Sequence, residues 1–191
     1  MPRGPRNLYE GAICHVVQRG NNRCILFRDD EDYLKFLSIV KRYKEKYPFE
    51  VFNYCLMPNH IHVLIRILTS QISRAFQGIF QVYQSYYRKK YDYVGALYQN
   101  RFKSILVEDD SYLLDCARYI ERNPLRAELV TDLDKYPWSS YHYYVKGKKD
   151  PLITPNPMYL EMGKTSVRRR KIYKEYLLKS RPYEALLDGI L

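Results

Sequence analysis

Leu56-Met57-Pro58-Asn59-His60-Ile61-His62-Val63-Leu64-Ile65 is the stretch from which the fold can be read. Pro58-Asn59 is turn punctuation, and a β-rich run from Ile61 to Ile67 follows at once. Phe49 to Leu56 has the same character upstream, so the turn joins two strands. Side chains alternate along a strand, which sends His60 and His62 to one face and Ile61 and Val63 to the other. Two imidazoles on one face of a rigid strand make a ready pair of metal ligands. They are equally a polar strand face on which two histidines fall. The motif alone leaves both readings open.

Ala12 to Gln18 forms an earlier strand, closed by the turn Arg19 to Arg23. Asp29-Asp30 opens a helix, with acids where the N-terminal dipole favours them. Tyr33, Phe36, Leu37, Val40, Tyr43 and Tyr47 then recur at helical spacing until Pro48. Beyond the histidines, Ser70 is the expected cap of a second helix with an apolar stripe from Ile72 through Phe76 and Phe80 to Tyr87. Phe102 to Val107 is a fourth strand. A third helix opens at Asp109-Asp110-Ser111 and is expected to stop near Asn123, ahead of Pro124. The order β-α-β-β-α-β followed by a helix predicts an α+β fold of the ferredoxin-like split βαβ kind. Its sheet is four-stranded and antiparallel, with helices on one face and the third helix after the last strand. On that plan the two histidines lie on a central strand and look out of the open face.

Residues 1–150 read as one domain. Residues 151–191 read as a basic C-terminal extension: Pro151, Pro155 and Pro157 open it, and Ile172, Tyr173, Tyr176 and Leu177 share one face of a possible helix. It is either a grip on nucleic acid or a solvated tail that orders on binding.

The 191 residues carry 32 Lys and Arg against 21 Asp and Glu, a net charge of +11. That excess favours a polyanion, nucleic acid ahead of an anionic membrane. The 21 tyrosines pair an apolar ring with a polar tip, so some can stack on bases while most belong to the core and its boundary. The candidate DNA contacts are Arg19 and Arg23 around a glycine turn, and Arg88, Lys89 and Lys90 among tyrosines. Arg101 and Lys103, and Arg168, Arg169 and Arg170 in the extension, complete the set. Each has an ordinary reading too: a solvated turn, a helix C-terminus complementing its dipole, a charged tail. The four cysteines show no Cys-x-x-Cys pairing and read as reduced thiols. Neither an apolar leader nor a bilayer-length apolar run is present, so the expected setting is cytoplasmic and nucleoid-associated, with no membrane partner.

Two histidines need a third ligand and a reacting group. Tyr119 and Asn123 lie four apart on the third helix, hence on one face. Asn123 offers an amide oxygen suited to a hard cation, Mg2+ or Mn2+, and Tyr119 a phenol. A tyrosine among core neighbours is, by itself, more often packing than nucleophile. Its company here raises it.

Met57-Pro58-Asn59-His60-Ile61-His62-Val63-Leu64 resembles the His-hydrophobic-His motif of single-tyrosine HUH transposases. Three further segments resemble the REP-associated tyrosine branch of that family: Val17 to Arg23, Tyr98 to Ser104, and Arg118 to Ala127. Pro137-Trp138-Ser139-Ser140-Tyr141 also fits. The likeness covers about residues 8–145, with Tyr98 where a Trp is expected, and leaves the extension outside. It implies that His60, His62 and Asn123 hold one divalent ion and that Tyr119 is the nucleophile, making the third helix the nucleophile helix. It also implies nicking and rejoining of single-stranded or hairpin DNA through a 5′-phosphotyrosine, by a monomer or homodimer. The alternatives are a non-catalytic binder of structured nucleic acid derived from a transposase, and a metal phosphohydrolase that uses water.

Overall fold

The computed structural model describes residues 8–179. Strands β1 (Ile13–Arg19), β2 (Phe49–Met57), β3 (His60–Ile67) and β4 (Lys103–Val107) form one sheet in the order β2-β3-β1-β4. Every neighbouring pair is antiparallel, which is the split βαβ plan. Helices α1 (Asp30–Lys46) and α2 (Ile72–Tyr91) make the crossovers, and α3 (Asp110–Arg126) follows β4. Asp29 caps α1 by accepting a hydrogen bond from the Asp32 amide at 3.1 Å. Gln71, not Ser70, precedes α2, and the Ser70 amide instead donates to Glu10.

Strand alternation divides the core in two. Val16, Val51, Ile61, Val63 and Ile65 face Phe36 of α1 and Phe76 and Phe80 of α2. Phe52, Cys55, Met57 and Leu64 face Leu113, Cys116, Ala117, Tyr119 and Ile120 of α3. A bulge between Val51 and Asn53 sets Asn53 opposite Leu64, on the α3 side. The histidine face is therefore not open. Leu113, Cys116, Ala117 and Ile120 form an apolar stripe at helical spacing, and α3 buries that stripe on the sheet.

The described part of the extension, residues 151–179, folds back on the rest; residues 180–191 lie outside the described residues. The Thr154 amide donates to the Val51 carbonyl, and Trp138 and Ser140 bond Leu56 and Tyr54, so the outer edge of β2 is covered. Helices α4 (Pro157–Glu161) and α5 (Ser166–Leu178) bury Tyr159, Tyr173 and Leu177 against Tyr141 and Tyr144. Arg122 and Arg118 of α3 donate to the carbonyls of Leu177 and Tyr176 at 2.7 and 3.0 Å. Among the described residues no helix is long and apolar enough to cross a membrane.

Candidate active site

His60 is the first residue of β3, and the pairing sets it opposite Arg19 on β1 and Met57 on β2. His62 follows on the same face, its ring centroid 4.9 Å from that of His60. The Tyr119 ring of α3 packs nearly perpendicular to His62, with centroids 5.8 Å apart. Asn123 stands one turn further along the same face of α3, with its side chain beside that of His60. The four residues expected to carry the chemistry thus converge within one chain.

Local chemistry aims each donor. Asn59 Oδ1 lies 2.6 Å from His60 Nδ1. A carbonyl oxygen only accepts, so the His60 proton sits on Nδ1 and Nε2 presents a lone pair. The Asn123 amide nitrogen donates to the Tyr119 and Ile120 carbonyls at 2.9 and 3.3 Å, which leaves the amide oxygen for other partners. The Ile120 carbonyl is available because Pro124, four residues on, has no N–H to give it. Contrary to the expected stop, α3 runs through Pro124 to Arg126, and the Asn123 side chain supplies the missing donor. His62 Nε2 is buried with no hydrogen-bond partner. A lone pair on His60, an orphaned buried nitrogen on His62 and a spare amide oxygen fit a hard or borderline divalent cation. Among the described residues no group of three His, Cys, Asp and Glu is placed to hold a metal, so a site here depends on the amide as third ligand.

Burial holds all three neighbouring imidazoles neutral. It lowers His15 to about 3 and His60 to about 4, with the charge of Arg19 adding to the effect at His60. His62 is also pushed well down, first by burial and then by His15, His60 and Arg19. Neutral imidazole is the metal-binding form. His15 on β1 brings its Nε2 to 2.9 Å from His62 Nδ1. Equal strand parity was the only signal for this contact, and it becomes meaningful once β1 and β3 are known to be neighbours.

The candidate DNA contacts divide into groups. Arg19, Arg101 and Lys103 line a cavity of about 200 Å³ with Val17, Gln18, Gln99 and Asn100, beside the strand end that carries His60. Arg23, Arg88 and Lys89 are exposed, Arg88 donating to the Gly95 carbonyl. Lys90 is committed elsewhere, to Asp29, Glu31 and Asp32 at 2.8–3.0 Å. The tyrosines around it are also used internally: Tyr87 is buried and donates to Ile25, while Tyr86 and Tyr91 donate to Asp32. Arg168 and Arg169 pack against Gly163, Arg169 also lies over the Tyr159 ring, and Arg170 lies against Gly147. This trio gathers around residues 147–163, apart from the histidine cluster. Among the other tyrosines, Tyr86 and Tyr87 sit with the α1/α2 core, across the sheet from His62, and Tyr112 packs in the α3 core.

Known proteins resemble this chain in sequence and in fold. The family described as Transposase IS200 like matches residues 9–123. A Haemophilus influenzae protein assigned as a REP-associated tyrosine transposase is 31% identical over 134 residues, covering 63% of this chain and 75% of that protein. The solved structure of a REP-associated tyrosine transposase bound to a REP hairpin matches with a TM-score of 0.67 and 18% identity. That match covers 82% of this chain and 92% of the solved one, and is a likeness of fold. The family match spans more than half of the sequence and ends on Asn123, and on these grounds the chain belongs to the IS200-like transposases, among the REP-associated tyrosine transposases.

Proposed function

We propose that this protein nicks and rejoins single-stranded or hairpin-containing DNA through a 5′-phosphotyrosine at Tyr119. The observation that carries the reading is the Tyr119 ring against His62, 5.8 Å between centroids, with Asn123 on the same helix face. His60, His62 and Asn123 would hold the Mg2+ or Mn2+ ion. Such an ion, when bound, offsets negative charge on the scissile phosphate. The Tyr119 oxygen bonds to phosphorus as the P–O3′ bond breaks; the phenol gives up its proton and the departing 3′ oxygen gains one. Attack by a 3′-OH reverses the exchange and joins the strand, conserving the bond energy without ATP.

Arg19, Arg101 and Lys103 lie where phosphates flanking the cleaved bond would run, and Arg23, Arg88 and Lys89 extend the basic surface. Tyr119 is only 2% exposed, with the Arg126 guanidinium 5.0 Å from the ring centroid, so a phosphate reaches the phenol by displacing neighbouring side chains. All four site residues come from one chain, which supports action in cis by a monomer.

The test is a denaturing gel of the protein with hairpin oligonucleotides in Mg2+ or Mn2+. A covalent protein–DNA adduct that needs the metal and disappears in Tyr119→Phe is expected. An intact, metal-dependent adduct in that variant would move the nucleophile elsewhere. Salt-sensitive binding with no adduct on any hairpin would favour the non-catalytic alternative.

A further inference from the structure

His15 and His62 sit diagonally on the two central strands: His15 pairs with Leu64, and His62 with Val17. Both rings lie under α3, 5% and 0% exposed, stacked with centroids 5.0 Å apart and planes 24° from parallel. Their contact is nitrogen to nitrogen, His15 Nε2 to His62 Nδ1, at 2.9 Å. One shared proton makes that bond, and its position decides what the far side of His62 can do.

A neutral imidazole carries one proton. If His15 Nε2 donates, His62 Nδ1 accepts and the His62 proton must sit on Nε2. That atom is buried and has no partner, so this arrangement hides an unpaired N–H and leaves no lone pair for a cation. If His62 Nδ1 donates, its Nε2 is a bare lone pair, and the His15 proton moves to Nδ1. We propose that His15 is a positioning residue for the metal ligand His62, accepting the Nδ1 proton so that Nε2 stays open to a divalent cation. Metal-bound histidines commonly donate their second N–H to a carboxylate, a carbonyl or water. Here a second imidazole takes that part. Asn59 plays the matching part for His60, so each ligand has its proton drawn to Nδ1 by a fixed acceptor.

The inference rests on the metal reading of the site, and two measurements separate their fates. The first is a two-bond 1H–15N correlation spectrum of the metal-free protein. His62 is expected as the Nδ1–H tautomer; a proton on His62 Nε2 overturns the proposal whether or not a metal binds. The second is calorimetric Mn2+ binding by His15→Phe, which keeps a ring but no acceptor, and by His15→Gln, which keeps an acceptor. His15→Phe is expected to bind about 10- to 100-fold more weakly, and His15→Gln to stay nearer the wild type. Wild-type affinity in a folded His15→Phe protein would overturn the role. If the wild type binds no Mn2+, the metal reading fails, and the tautomer still decides the part assigned to His15. If His15→Phe does not fold, the spectrum of the wild type and the affinity of His15→Gln decide it.

Discussion

The Asn123-Pro124 pair shows how much of this site is set within two residues. Proline usually costs a helix one hydrogen bond. Here the bond is made good by the Asn123 amide nitrogen, and that turns the amide oxygen away from the helix backbone. Pro124→Ala restores a backbone donor to the Ile120 carbonyl and releases the amide. The expected outcome is a protein at least as stable thermally, with Mn2+ binding weakened by about tenfold, as for loss of a supporting contact around a ligand. Calorimetry on the variant checks it, and unchanged affinity would mean that packing alone orients the amide.

At the scale of the element, α3 carries the reactive tyrosine on one side and is anchored on another by a buried carboxyl. Glu121 is fully buried and accepts hydrogen bonds from Asn53 at 2.8 Å, Tyr173 at 3.2 Å, and Ser140. Those donors come from β2, α5 and the segment between α3 and α4, so one side chain ties the helix to three parts of the chain. Burial raises Glu121 from the ordinary 4.5 to about 7, against the pull of the three donors. The folded protein therefore keeps this proton at pH values where the unfolded chain has lost it. Stability from Glu121 is fully present below pH 4.5, falls as pH rises to about 7 and is flat beyond. The loss is on the order of 3 kcal/mol. Glu121→Gln, which does not titrate, is expected to flatten this part of the pH profile of thermal unfolding. A wild-type slope in the variant would place the pH dependence in other groups.

For the whole molecule, the question is whether the C-terminal segment is an appendage or part of the folded body. Tyr159, Tyr173 and Leu177 are buried against Tyr141, Tyr144 and Leu133, and Tyr173 reaches Glu121 beneath them. Leu177→Ala should destabilise the protein by about 2–4 kcal/mol, as in other enclosed Leu-to-Ala changes. Denaturant titration measures it. A solvated tail that orders on binding would show no such loss in the absence of DNA. The same packing places α5 on α3, so a cut after residue 150 is expected to lower the melting temperature and to weaken adduct formation together.

Local signals carried a large share of the protein. Turn residues at Pro58-Asn59, alternation along β3 and helical stripes before and after it were enough for the element order, and that order for a ferredoxin-like sheet with the histidines on a central strand. Four-residue spacing put Tyr119 and Asn123 on one helix face, because helical geometry depends only on neighbours in the chain. What needed the folded chain was contact between distant segments. Whether the histidine face was open or covered depended on which side α3 packed. Lys90 looked like a DNA contact until three carboxylates from the start of α1 arrived beside it. Glu121 and His15 gave no local sign of their partners. His60 and His62 were a pair by periodicity, but what prepares His62 for a ligand is a hydrogen bond across 47 residues, and register between strands is decided only by the whole fold.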